Sequence, residues 1–313
     1  MSESESFPFP APSPRRERIW RHVVLLALTV ITTTFMGAFH YLSFSLGFGG
    51  QQLTGDSPFR DPMFYARGVW YSATVLAILG CHEMGHYLAC RYYRVNASLP
   101  YFLPLPPPLL TGTLGAFIRI RDRIPSRVAL FDIGIAGPIA GFLVALPALF
   151  LGVAMSTVER IPDDFIGYEL GEPLLFQAAA WLVWGNLPDS MTINLHPMGF
   201  AAWFGLIATA LNLFPIGQLD GGHVTYAVLR RRSFYVTLAT ACLALGLVLF
   251  SRSWLLWCAV MLVMLLLVGP HHPPTANDDV PIGRLRIGVA LFGLLMLIVC
   301  FTPAPLEVFV MGQ

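Results

Sequence analysis

Residues 82–86 read His82-Glu83-Met84-Gly85-His86. On a helix, two histidines four apart share one face, one turn apart, so both imidazoles can reach a single metal ion. Glu83 follows His82 directly and can stand beside the water such an ion activates, where a carboxylate acts as general base. Ionisable groups in an apolar segment are costly to bury and are functional by default. The bland alternative is a polar patch hydrogen-bonded to neighbouring helices. A hydrolytic zinc usually keeps three protein ligands, so a third has to come from elsewhere. Asp220 is the candidate, in Asn212-Leu-Phe-Pro215-Ile-Gly-Gln-Leu-Asp220-Gly221-Gly222-His223. Pro215 disturbs a helix there, and the glycine pair is read as freeing the backbone after Asp220. His223 is either a further ligand or a neighbouring, solvent-facing histidine. His196 and the loop pair His271-His272 are read as non-ligating, and Cys81 as packing, since it points about 100° away from His82 on a helix.

The segments that hold these residues are apolar. Of 313 residues, 56% are hydrophobic and 12% charged, with a mean hydropathy of +0.65. Soluble domains carry about 25% charged residues, so the composition excludes a disordered chain, a coiled coil and a typical soluble enzyme. It argues for a polytopic membrane protein in a lipid bilayer. A net charge of +1 provides no field for nucleic acid. The five cysteines lie in apolar stretches without a Cys-x-x-Cys pair and read as free thiols.

Candidate spans are 22–46, 69–90, 128–156, 197–216, 234–251, 254–268 and 286–303, the fifth and sixth being short and close together. Six or seven crossings are therefore expected. Arginine clusters at 15–21, 91–127, 230–232 and 284–286 alternate with arginine-poor loops, which puts the N-terminus in the cytoplasm. With that orientation the second and fourth spans run in the same direction. His82, His86 and Asp220 then fall at similar depth near the cytoplasmic face. Residues 1–18 read as a disordered tail, 19–68 as a first, retained transmembrane helix with its outer loop, 69–231 as the core and 232–313 as C-terminal transmembrane helices.

Two connections are more than turns. Residues 99–124 are proline-rich and then β-friendly from Ala116 to Arg121, which predicts a strand or small β-hairpin dipping into the cytoplasmic interface. Residues 157–195 are acidic and predict a short amphipathic helix around 174–184.

His82-Glu-Met-Gly-His86, Asn212-x-x-Pro215 and Leu219-Asp220-Gly221, with Phe131-Asp-Ile-Gly-Ile-Ala-Gly-Pro138, resemble the site-2 protease family of intramembrane zinc metalloproteases, peptidase family M50. The wording is similar to the bacterial and plastid branch that lacks a PDZ domain. The resemblance covers roughly residues 70–231. It implies an all-α polytopic membrane protein with a three-helix catalytic core. It further implies one Zn2+ per chain held by His82, His86 and Asp220, with Glu83 as catalytic base and Asn212 steadying substrate or oxyanion. Gly134, Gly137 and Pro138 match a helix-packing motif. The implied substrate is a transmembrane-helix protein, cut within or near the bilayer in regulated intramembrane proteolysis. The expected location is the bacterial cytoplasmic membrane, with the active site toward the cytoplasm. The competing readings are a metal transporter using the same His, Glu and Asp residues, and a non-catalytic scaffold.

Overall fold

The computed structural model describes residues 17–48, 58–107, 111–162, 166–188, 190–255, 258–259, 262, 266 and 273–310. In chain order the elements are α1 (Ile19–Leu46), α2 (Pro62–Arg67), α3 (Val69–Tyr92), β1 (Tyr101–Pro104), β2 (Thr113–Phe117), α4 (Arg127–Ala154), β3 (Thr157–Arg160) and β4 (Ile166–Leu170). They continue as α5 (Leu174–Trp184), β5 (Met191–Asn194), α6 (Pro197–Leu213), α7 (Asp220–Leu229), α8 (Ser233–Leu247), α9 (Arg284–Cys300) and β6 (Leu306–Val310).

Local chemistry sets the helix ends that matter for the site. Ser126 starts α4, its hydroxyl accepting the Ala129 N–H at 3.2 Å, which satisfies a first-turn donor left without an intrahelical partner. Pro197 opens α6, where its missing N–H costs nothing. Pro215 closes it, because the residue before a proline avoids helical backbone. Phe214 is accordingly extended, with φ −57° and ψ 131°. The predicted span 197–216 therefore stops at Leu213.

α4 is the axis of the molecule, with α3, α6 and α7 packed on it. For helices this apolar, close backbone approach at small residues drives association more than apolar area does. A Cβ on Gly152 of α4 would strike the Gly199 backbone of α6, and one on Gly85 of α3 would strike the Ala136 carbonyl of α4. Between these crossings Ile78, Ala145, Leu149, Val153, Leu206 and Ala210 form a buried core shared by α3, α4 and α6.

Helices occupy six of the seven predicted spans. The remaining one, the sixth at 254–268, lies largely outside the described residues, as do residues 1–16 and His271-His272. Among the described residues α1 and α4, each 28 residues, pass the length and apolarity test for a crossing helix. At 1.5 Å per residue they are about 42 Å long against a hydrocarbon core of roughly 30 Å. α6, α8 and α9, with 17, 15 and 17 residues, are about 23–26 Å long. Among the described residues, the expected six or seven crossings are thus met by length and apolarity in two helices.

The predicted hairpin is β1–β2, with Tyr101 opposite Phe117 and Phe102 opposite Ala116. It begins earlier than the expected 116–121, and the chain then continues extended, the Arg121 N–H bonding the Asn96 carbonyl at 2.8 Å. The helix expected around 174–184 is α5, with those bounds. The surrounding acidic connection is not helical or irregular throughout. β3 pairs with β5 and β4 with β6, both antiparallel, so the described residues are mostly helical with three two-stranded sheets.

Candidate metal centre

Three elements converge at one end of α4. α3 carries His82 and His86, buried and one turn apart. α6 carries Asn212 in its last turn, and α7 opens with Asp220. His82 Nε2 lies 3.1 Å from Asp220 Oδ2, His86 Nε2 lies 3.2 Å from the same oxygen, and the two Nε2 atoms are 3.1 Å apart. Among the described residues this is the one group of three or more His, Cys, Asp or Glu side chains whose donor atoms come together in this way.

The donor set suits a divalent ion. Zinc sits about 2.0–2.1 Å from His nitrogen and 2.0–2.2 Å from carboxylate oxygen. Ligand atoms of a tetrahedron of that size are about 3.3 Å apart, close to the edges observed. His86 Nδ1 is 2.7 Å from the Ile133 carbonyl oxygen, so Nδ1–H donates there and Nε2 faces the cluster with its lone pair. Metal-binding histidines are commonly held by such an outer hydrogen bond. Among the described residues the Asp220 carboxylate is met only by the two imidazoles. With His82 in the tautomer that turns its Nε2 lone pair inward, three ligand atoms face one point, as a cation requires.

Small residues on α4 make room for this cluster. A Cβ on Gly137 would occupy the His86 ring, one on Gly141 would sit 3.1 Å from His82 Cβ, and one on Gly134 would sit 2.9 Å from His223 Cβ. Positions 134, 137 and 141 share one helix face. Gly134 and Gly137, expected as part of a packing motif, are with Gly141 the surface against which the histidines and α7 are laid. Gly221 and Gly222 require a different reading from the one made above. They lie inside α7 and do not free the chain. Their missing side chains admit the Leu213 and Gly217 carbonyls, which presses the start of α7 onto the 214–219 turn and sets the position of Asp220.

Glu83 is buried, near the Ile118 backbone and within electrostatic reach of His86 and Asp220. Ile118 directly follows β2, so the end of the hairpin lies near the Glu83 side chain. Asn212 Nδ2 is 3.4 Å from His82 Nε2, at the rim of the cluster. His223 stands outside the three-residue group. His196 is remote. It caps α6 by accepting the Met198 N–H at 3.2 Å. Cys81 is exposed, and all five cysteines are free. The residue-type signal did not reveal the Ile133 carbonyl or the nearby Ile118 backbone, since main-chain groups carry no residue signature. The spacing Gly134, Gly137, Gly141 was the one available hint.

Residues 70–251 match the profile of Peptidase family M50. A probable chloroplastic zinc metalloprotease, EGY2, of Oryza sativa subsp. indica is 32% identical over 242 residues, covering 73% of this chain and 42% of that protein. The probable chloroplastic zinc metalloprotease EGY1 of Arabidopsis thaliana is 31% identical over 240 residues, covering 74% and 42%. The probable chloroplastic zinc metallopeptidase EGY3 of the same plant is 28% identical over 295 residues, covering 90% and 48%. The chain thus spans less than half the length of these curated relatives. No solved structure shows a significant match.

Proposed function

The chain belongs to peptidase family M50, and from that premise we propose that it is an intramembrane zinc metalloprotease acting on transmembrane-helix proteins. The observation that carries the proposal is the triangle of His82 Nε2, His86 Nε2 and Asp220 Oδ2, with edges of 3.1–3.2 Å, beside a buried Glu83. In this reading those three residues hold one zinc, within a core at 69–231 flanked by the helices of 19–68 and 232–313.

Bound zinc supplies Lewis-acid polarisation of the scissile carbonyl and lowers the pKa of the attacking water to about 7. Glu83 accepts the proton of that water and returns it to the leaving amine. The Asn212 amide donates to the carbonyl oxygen as negative charge develops on it. A helical substrate hides its peptide bonds in its own hydrogen bonds and must unwind to be cut. Among the described residues β2 is paired with β1 alone, and in this reading its other edge receives the unwound substrate by strand addition. Because Ile118, at the end of β2, lies near Glu83, a peptide laid along that edge would run toward the general base.

Large apolar side chains exposed along α1, α8 and α9, among them Ile31, Leu245, Leu291 and Leu295, support a lipid surround. Arg286 pairs with Asp132 next to the Ile133 carbonyl that holds His86, and arginines 121, 123, 230 and 231 flank α4 and α7 in sequence, which supports a metal centre toward the arginine-rich, cytoplasmic side.

The experiment is Glu83→Gln in the full-length protein. Zinc content is expected to stay near one per chain while cleavage of a membrane-helix substrate falls at least about hundredfold, the usual weight of a general base. Wild-type cleavage by this variant would overturn the assignment of Glu83. A wild-type protein that retains no metal would overturn the hydrolase reading itself.

A further inference from the structure

α4 presents two consecutive residues to opposite tasks. The Ile133 carbonyl takes the His86 Nδ1–H at 2.7 Å. Asp132, its neighbour, is gripped from outside the core. Arg286 of α9 donates from Nε to Asp132 Oδ1 at 2.8 Å and from its terminal nitrogen to Oδ2 at 2.6 Å, a bidentate pair. The Tyr93 hydroxyl, just beyond α3, donates to the same Oδ2 and accepts a longer contact from Arg286 at 3.4 Å. Three helices therefore meet at one carboxylate. Bidentate arginine pairs fix orientation as well as energy.

α4 needs such a fixture here. Pro138 has no N–H for the Gly134 carbonyl, so the helix lacks one of its own hydrogen bonds immediately after Ile133. One turn past Ile133, Gly137 leaves no space between α4 and the His86 ring. A small rotation or tilt of α4 would shift both the carbonyl that orients His86 and the surface it rests on. Arg286 lies outside the 70–251 segment that matches the family profile, and its contacts with Asp132 and Tyr93 are read from the structure alone.

We propose that Arg286, with Asp132 and Tyr93, is a positioning clamp for His86: α9 locks the register of α4 so that the Ile133 carbonyl holds the imidazole with Nε2 toward the metal. The inference rests on the metal reading above and is tested apart from catalysis. The full-length protein in detergent is loaded with zinc, and metal release to a chelator is timed. Cobalt(II)-loaded protein gives the visible absorption that reports ligand geometry. Loss of outer-shell partners commonly costs about 10–100-fold in metal affinity. Arg286→Met is expected to speed release by about tenfold and to shift the cobalt spectrum, and Arg286→Lys to recover part of both. Arg230→Met breaks an exposed ion pair with Asp279 and should change neither. If Arg286→Met does not fold, Tyr93→Phe carries the test, with an expected few-fold acceleration and a spectral shift. Wild-type release and an unaltered spectrum, in Arg286→Met or in Tyr93→Phe where the former does not fold, would overturn the clamp. A wild-type protein that binds no zinc would instead overturn the metal reading on which it rests.

Discussion

Asp220 and Glu159 are two carboxylates held at opposite ends of the molecule, and their surroundings differ in kind. Glu159 sits on β3, where its carboxylate accepts from the Asn194 amide at 2.8 Å, the Thr157 hydroxyl at 2.8 Å and the Phe48 N–H at 3.2 Å. Each donor is neutral, and together they join α1, β3 and β5. Asp220 meets two imidazoles and, among the described residues, no other donor. A carboxylate surrounded by fixed neutral donors is satisfied and serves as a tie between elements. One whose partners are imidazole nitrogens, which can present a lone pair in place of a proton, has neighbours that can share an added cation with it. The chemistry of the partners, more than the burial of the acid, separates a structural carboxylate from a ligand.

Glycines give the same contrast, and breaking it should produce the largest effect. At Gly137 a Cβ would overlap the His86 ring. Gly137→Ala must therefore displace His86 or α4, and we expect purified protein to retain less than about a tenth of the wild-type zinc, given how steeply metal binding falls when ligand support is lost. Elemental analysis of the full-length protein checks this. Asp220→Asn comes next. It keeps the shape of the side chain and removes the charge, so zinc release to a chelator should accelerate by about hundredfold or more, beyond the effect of losing an outer-shell partner. Gly185 ends α5 at φ +71° and ψ −156°, with nothing within 4 Å of an added Cβ. Here Ala meets no neighbour but adopts backbone that only glycine tolerates well. About 1–3 kcal/mol of stability should be lost, read from the unfolding midpoint, with zinc content unchanged.

The contrast also explains what could be read from the residues alone. The pairing of His82 with His86 follows from a spacing of four, and the meeting of α3 with Asp220 from the parallel direction of two spans inferred from arginine placement. Side-chain type and period carry both. The bounds of α5 were equally legible, because an apolar run between Pro173 and Gly185 has few other outcomes. β4 pairs with β6 across residues 166–310, a contact that local patterning does not encode. The role of Ile133 is a main-chain carbonyl, so the isoleucine itself is no signal. Gly221 and Gly222 were read as conformational freedom when their function is proximity. A glycine admits both, and only the position of the Leu213 carbonyl decides between them.

Glu159→Gln should have the smallest effect and gives the comparison its sharpest form. Burial would raise the Glu159 pKa, but hydrogen bonds from Asn194, Thr157 and the Phe48 N–H outweigh it and hold the carboxyl below its ordinary value of 4.5. A group whose pKa is depressed by folding stabilises the fold above its unfolded pKa and loses that contribution as pH falls through the folded value. At pH 7 the wild type should thus exceed Glu159→Gln in stability by about 1 kcal/mol, since glutamine keeps one acceptor oxygen and the site is partly exposed. The gap should close as pH drops below 4.5, followed as unfolding midpoints of the two proteins over a pH series. Zinc content at pH 7 should be equal in both. A gap that persists undiminished at low pH would mean that the Glu159 charge contributes nothing, and loss of zinc from Glu159→Gln would mean that the two ends of the molecule are coupled and that the division between tie and ligand does not hold.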